Sequence, residues 1–416
     1  MNLLDYLAMF TLGYPSLMAT IWICGGIYFY VHWERKQAWP ATFTWGDDAP
    51  TVTVLLPCYN EEANVDETLH HLFKQNYPHM EVIAVNDGSK DGTAEKLAAL
   101  AQQYPGLTVL NQANQGKASA MNNGLSQATG EIIVGIDGDA ILDYDAIGYM
   151  VNHFLSSPMV SGVTGNPRVR TRSTAIGKIQ TGEFSAIIGL IKRAQRIYGM
   201  VFTISGVICA FRRKALEEIG GWNTDMITED IDVSWRLQLK GGQVRYEPRA
   251  MCWVLMPETL RGLYKQRLRW AQGGGEVFLR YFPQTIRWKN RRFWVLMLEY
   301  IVSVVWCYSV ITLIAAWLVS YLLLPVAWPI STRMLSYFGS LLIAISFIQF
   351  TVSFYIDSRY DKTIYRCVYW SIWYPFAYWV LNMVTVVIAF PKAMMRQQGR
   401  LATWTSPDRG EQFNEQ

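Results

Sequence analysis

The chain has 416 residues, 51% hydrophobic and 14% aromatic, with 37 basic against 33 acidic side chains and a formal net charge of +4. So small a charge on so long a chain argues against nucleic acid as a partner. Six cysteines, Cys24, Cys58, Cys209, Cys252, Cys307 and Cys367, show neither paired metal-ligand spacing nor a disulfide framework.

Residues 6–31 carry no formal charge, and about 20 helical residues suffice to cross a hydrocarbon core. The run lacks the basic start and small-residue cleavage site of a secretory signal, so it reads as an uncleaved anchor. Only Asp5 precedes it, whereas Arg35 and Lys36 come after it, and the positive-inside rule then keeps the next domain cytoplasmic.

The soluble stretch opens with an apolar strand at 51–56 and a helix whose Val65, Leu69, Leu72 and Phe73 share one face. A strand at 81–85, a helix near 91–104, a strand near 107–110, a helix near 117–128 and a strand at 131–136 continue the alternation. This is the grammar of an α/β fold with a mostly parallel sheet, in which ligands bind beyond the carboxyl ends of the strands. Polar signatures fall at three such ends: Pro57-Cys58-Tyr59-Asn60-Glu61-Glu62, Asn86-Asp87-Gly88-Ser89 and Asp137-Gly138-Asp139. Taken singly, an Asp-Gly after a strand is most often a turn. Together they surround one crevice, where Asp137 and Asp139 suit a hard divalent cation and Asp87 a base or ribose. Further on, Thr228-Glu229-Asp230 precedes a helical pattern and alone would read as a helix cap.

Residues 259–282 combine Arg261, Lys265, Arg267, Arg269 and Arg280 with Leu260, Leu263, Leu268, Trp270 and Phe278, a basic amphipathic helix suited to a membrane lipid surface. Uncharged runs at 300–332, 334–356 and 367–391 supply about three more spans. The chain thus divides into an anchor at 1–33, a soluble domain at 34–258, an interface helix at 259–292, transmembrane helices at 293–391 and a basic tail at 392–416. Three spans would put that tail outside, yet its Lys392, Arg396, Arg400 and Arg409 favour the inside, a conflict that sequence leaves open and that a re-entrant segment around Pro375 would resolve.

Four features in order, Asp87, Asp137-Gly138-Asp139, Thr228-Glu229-Asp230 and Gln266-Arg267-Leu268-Arg269-Trp270, resemble the family-2 glycosyltransferases of GT-A fold, above all the processive synthases of bacterial polysaccharides. The resemblance implies a Rossmann-like α/β GT-A domain embedded between transmembrane helices, and an inverting transfer from a UDP-sugar. It assigns Asp230 as base beside Glu229, and Tyr59, Glu61, Asp87, Lys117 and Asp137 to the nucleotide sugar. Gln266 and Arg269 fall to the diphosphate, Trp270 to the acceptor sugar, and Asp139 with Asp137 to Mg2+ or Mn2+. Segments such as Thr164-Gly165-Asn166-Pro167-Arg168 and Met226-Ile227-Thr228-Glu229-Asp230-Ile231-Asp232 are most similar to bacterial poly-β-1,6-N-acetylglucosamine synthases, makers of biofilm exopolysaccharide. That subgroup implies UDP-N-acetylglucosamine as donor, a growing polysaccharide as product, a small membrane subunit as partner, and the bacterial inner membrane as location. It also implies cyclic di-GMP as activator, to whose site Arg287, Lys289, Arg291 and Arg292 are candidates.

Spacing and composition alone do not identify the sugar or linkage. A cellulose, chitin or hyaluronan type synthase shares the catalytic motifs, a polyprenyl-phosphate glycosyltransferase shares the fold, and a transporter with a degenerate nucleotide fold is the reading outside enzymology. For a polymer crossing the membrane, Tyr300, Trp306, Tyr308, Trp370, Trp373, Tyr374, Tyr378 and Trp379 are candidate sugar-stacking side chains, each weighed against ordinary helix packing.

Overall fold

The computed structural model describes residues 3–323, 332–371, 374–396, 399 and 401–402. Its centre is one eight-stranded sheet. The strands are β1 (Val52–Cys58), β2 (Met80–Asp87), β3 (Leu107–Gln112), β4 (Ile132–Ile136), β5 (Ile141–Leu142), β6 (Val160–Val169), β7 (Ile208–Arg212) and β8 (Gln243–Val254), in spatial order β3-β2-β1-β4-β7-β6-β8-β5.

The first half is parallel, β1 pairing with β2 and β4, and β2 with β3. Every residue of β1 and β4 is buried, as expected of strands covered on both faces. Alternate side chains feed opposite faces. Val52, Val54, Leu56, Ile132 and Val134 pack with Leu69 and Leu97 on one side, whereas Leu55, Ile83 and Ile133 meet Ala118 and Met121 on the other. The helices responsible are Val65–Leu72, Thr93–Gln103 and Lys117–Gln127. Past β4 the sheet turns mixed: β7 runs antiparallel to β4 and β6, while β6 and β8 are parallel with a register shift between Thr164 and Asn166.

Among the described residues four helices are long and apolar enough to cross a membrane, at Leu3–Lys36, Trp288–Leu322, Ser336–Asp357 and Ala377–Met395. None of the six cysteines, all among the described residues, forms a disulfide. The anchor and the third of these helices are joined to the soluble domain by a buried ion cluster. Arg193 Nε meets Glu34 Oε2 at 2.8 Å, its Nη2 meets Asp357 Oδ1 at 2.8 Å, and Arg168 Nη1 reaches Asp357 Oδ2 at 2.8 Å. The Tyr360 hydroxyl adds a hydrogen bond to Glu34 Oε1. Such a cluster contributes little net stability but fixes one arrangement, because losing a single partner strands a buried charge.

In the last hydrophobic run Ile364–Cys367 and Val368–Ser371 are short helical segments, and a long helix covers Tyr374–Met395. Before it, Lys178 lies 5.4 Å from the centre of the Trp370 ring, and Ser371 is buried. After it, Arg396 pairs with Glu276 at 2.8 Å, and the Gly399 and Ala402 amides donate to Asp225 and the Thr224 carbonyl. Both flanks of this helix are therefore held by the soluble domain and its interface helix. Arg400, Arg409 and Trp373 lie outside the described residues.

Candidate active site

A cavity of about 1090 Å3 opens between the carboxyl ends of the strands, the interface helix Leu260–Thr285 and the end of the last helix. Lys117, Asp137, Asp139, Glu229, Asp230, Gln266, Arg269 and Trp270 all line it, so three of the four motifs meet in one space with Lys117.

Asp230 sits in the first turn of the helix Glu229–Leu239, where its Oδ1 accepts the Ile231 amide at 2.9 Å and its Oδ2 the Gly206 amide at 3.3 Å. Burial, then the neighbouring Glu229 charge, push its pKa up to about 6, against the pull of Lys117, the Ile231 amide and Arg269. A carboxylate so placed is ionised at neutral pH yet holds a proton far better than a surface Asp. Lys117 donates to Asp137 at 2.5 Å and lies 3.3 Å from Glu229. Burial pulls its pKa down, but Asp137 and Glu229 outweigh that and hold the ammonium above its ordinary value.

Three expected donor contacts are not at the cavity wall. Asp87 is fully buried, and its oxygens accept Gln112 Nε2 at 2.8 Å and the Gln115 and Gly116 amides at 2.9 Å each. It therefore holds the loop that presents Lys117 instead of facing the cavity itself. Glu61, also fully buried, accepts Asn64 Nδ2 at 3.1 Å, and its own amide donates to Thr93. Tyr59 lies in the same turn, outside the cavity lining. The Asp-x-Asp pair is likewise divided, since Asp137 serves as counter-ion to Lys117.

Asp139, 8% exposed, is the foremost carboxylate for a cation. No cluster of three His, Cys, Asp or Glu side chains forms among the described residues. One or two carboxylate oxygens completed by diphosphate oxygens is nevertheless a donor set that suits Mg2+ or Mn2+. The residues present fit such an ion.

On the interface helix, Thr259 caps the N-terminus by accepting the Gly262 amide at 3.1 Å. Arg267 turns inward to Glu183 at 2.7 Å and lays its guanidinium 4.2 Å from the Trp270 ring centre, fixing that indole beside the cavity. Arg269 faces the cavity. The wall also holds residues that the motifs do not mark: Phe184, Ile188 and Lys192, with Lys392 near the end of the last helix and Arg396 just beyond it. Lys192 lies in the helix Leu190–Tyr198 and belongs to none of the motifs, so no signal in the sequence distinguished it.

A parallel α/β half with acidic strand ends, a raised carboxylate at a helix start and an arginine-bearing interface helix define a GT-A glycosyltransferase set against a membrane. The chain matches the glycosyltransferase-like family 2 over residues 49–273 and belongs to that family; it is a sugar-transferring membrane enzyme. It is 43% identical over 403 residues to a poly-β-1,6-N-acetyl-D-glucosamine synthase of Staphylococcus epidermidis, covering 96% of this chain and 98% of the relative. A synthase of the same name from Staphylococcus aureus strain COL is 44% identical over the same length. Among solved structures, a mannosyltransferase of Pyrobaculum calidifontis, in complex with GDP-mannose and Mn2+, superimposes with a TM-score of 0.66 at 22% identity, covering 94% of this chain and 99% of that one.

Proposed function

We propose that this enzyme polymerises UDP-N-acetylglucosamine into poly-β-1,6-N-acetylglucosamine, with inversion at the anomeric carbon. The observation that carries the chemistry is the meeting of Asp230, Asp139, Arg269 and Trp270 in one cavity. The sugar and linkage come from full-length likeness to the staphylococcal synthases.

In the proposed reaction the acceptor hydroxyl attacks the donor C1 from the face opposite UDP. The new C–O bond forms as the C1–O bond to the diphosphate breaks, and Asp230 takes the hydroxyl proton. No protein nucleophile is required. Arg269 and Gln266 supply donors to the departing diphosphate, with guanidinium offering a planar fork for phosphate oxygens. Trp270 gives the acceptor ring an aromatic platform. A divalent ion held by Asp139, with Asp137 beside it, would supply charge relief to the leaving group.

A cytoplasmic soluble domain is supported by Arg35, Lys36, Arg287, Lys289, Arg291 and Arg292, which flank the spans on its side. The last four are exposed and have no carboxylate within ion-pair distance among the described residues. Anionic headgroups suit them at least as well as a cyclic dinucleotide. Because both flanks of the helix Tyr374–Met395 rest on the soluble domain, we assign it as re-entrant. The basic tail then stays on the catalytic side.

Linkage analysis of polymer made from defined UDP-sugars tests the proposal. A β-1,6-linked N-acetylglucosamine product is expected. A 1,4-linked or glucose-containing polymer would replace it with the cellulose, chitin or hyaluronan type reading, and a lipid-linked monosaccharide with the polyprenyl-phosphate one.

A further inference from the structure

Lys192 lines the cavity but belongs to none of the motifs. Its side chain is 4% exposed, and Nζ donates to Ser205 Oγ at 2.7 Å and to Thr164 Oγ1 at 3.0 Å. Among the described residues no carboxylate lies within ion-pair distance of it, in contrast to Lys117, which has two. A lysine that keeps company with hydroxyls and not acids is unusual in an interior, where a buried charge normally demands a counter-ion.

Ser205 is followed directly by Gly206, whose amide donates to Asp230 Oδ2. The space there is full: a Cβ on Gly206 would lie 3.2 Å from Lys117 Nζ and 3.4 Å from Asp230 Oδ2. One short stretch of backbone thus holds the Lys192 amine with a side chain and the Asp230 carboxylate with an N–H. The groups around the amine are few. Asp230 faces it from the helix Glu229–Leu239, the Cys209 thiol from β7, the Tyr246 ring from β8 at 5.8 Å and Thr164 from β6. Its neighbour Arg193 turns away to Glu34 and Asp357. Asp230 in turn faces Glu229, Lys117 and Arg269.

We propose that Lys192 is a positioning residue for the reaction, acting through Asp230: its charge, held in place by Thr164 and Ser205, sets how strongly that carboxylate takes the acceptor proton. The inference rests on the reading of Asp230 as base. Burial pulls the Lys192 amine down to about 7, with Asp230 and then Cys209 opposing. In acid the ammonium keeps Asp230 ionised and extends activity downward in pH. Towards neutrality the amine sheds its charge and leaves Asp230 the stronger base. Lys117, locked between two carboxylates, cannot vary in this way.

The test is kcat against pH, at saturating UDP-N-acetylglucosamine and Mg2+, for the full-length enzyme and for Lys192→Met, Lys192→Arg and Asp230→Asn. With the ammonium removed, the acid limb of Lys192→Met should move up by about one pH unit. Lys192→Arg keeps the charge that the ammonium already carries at that pH, so its limb should stay at the wild-type position. Separated limbs are the expected result, because a merely structural role lowers the rate of both variants without separating them. A Lys192→Met limb that superimposes on the wild type, or a Lys192→Arg limb that moves with it, overturns the inference. Should either variant fail to fold, as judged by UDP binding in detergent, Lys192→Gln decides alone, and an unmoved limb is again the overturning result. If Asp230→Asn retains turnover, the base assignment itself fails. If Asp230→Asn is inactive and the Lys192 limbs stay together, only the role of Lys192 falls.

Discussion

Asp230 is held by two amides, crowded by Glu229 and removed from water, so its proton affinity and its place in the cavity have one cause. Its pKa of about 6 means that the working carboxylate forms as pH rises through that value, so kcat should fall on the acid side near pH 6 and plateau above it. Asp230→Asn is expected to lose about 10² to 10⁴ in turnover while UDP affinity stays near normal. Asp139→Ala should do the reverse, weakening metal-dependent UDP binding first. Calorimetry and initial rates on the two purified variants separate these roles, and near-normal turnover by a folded Asp230→Asn would sink the base assignment. Sequence motifs led to these residues because each sits at a strand end or helix start, where local pattern and chemistry coincide. Asp87 and Glu61 lie outside the cavity lining, and sequence does not distinguish an acidic residue that accepts from nearby backbone or side chains from one that faces a ligand. Lys192 was illegible for the converse reason: only the tertiary fold puts that helix face inside.

The interface helix explains why the cavity has its width. Three consecutive glycines, Gly273 to Gly275, interrupt an otherwise good helix former, at about 1 kcal/mol each relative to alanine. Contacts account for them. A Cβ on Gly273 would lie 2.3 Å from Thr228, so the helix bearing Arg269 and Trp270 approaches the turn bearing Asp230 backbone to side chain. Gly274 faces the stacked Phe202 and Tyr300 rings, and Gly275 faces Phe390 and Ala393 of the last helix. Gly273→Ala, although it improves helix propensity, should force the two motifs apart and lower kcat by about 10²-fold, since a displacement near 1 Å suffices for that. Gly339→Ala, where nothing lies within 4 Å, is the control and should keep full activity. Equal rates for the two variants would remove the close approach from the mechanism. The alternating strands and helices up to Ile136 were legible because periodicity and burial agree there. Beyond it, β6 contains Gly162, Gly165, Asn166 and Pro167, a turn composition that long-range pairing with β7 and β8 overrides. The π-helical turn Phe184–Gly189, which brings Phe184 and Ile188 to the cavity, has no local signature at all.

At the scale of the whole molecule, the catalytic domain is fastened to its membrane helices on two sides, by the Glu34–Arg193–Asp357 cluster and by the pairing of Arg396 with Glu276. The cavity between these attachments is bordered on one side by Lys392 and Met395 of the last helix and by Arg396 just beyond it. Several aromatics expected along an export path are engaged in packing instead. Trp306 donates to the Thr11 carbonyl, the Tyr308 hydroxyl to the Val387 carbonyl, and Tyr300 lies 4.8 Å from Phe278. These three serve helix packing, the reading against which each is weighed.

A polymer of repeated sugars is too polar to cross hydrocarbon unaided, so if it leaves through this chain it must do so as it is made. The re-entrant assignment and the export path can be tested in one preparation: sealed vesicles carrying the purified enzyme with its catalytic domain outside, with and without a small membrane subunit of the kind the family resemblance implies, and a tag after the last residue. Protease added to intact vesicles should remove the tag, because the tail lies with the catalytic domain. On addition of UDP-N-acetylglucosamine, the polymer should resist a glycosidase that cannot enter and become sensitive once detergent opens the vesicles. A protected tag returns the last helix to a full crossing. Polymer wholly digested outside, despite active synthesis with the subunit present, ends the case for export through this chain while leaving the transfer chemistry of Asp230 untouched.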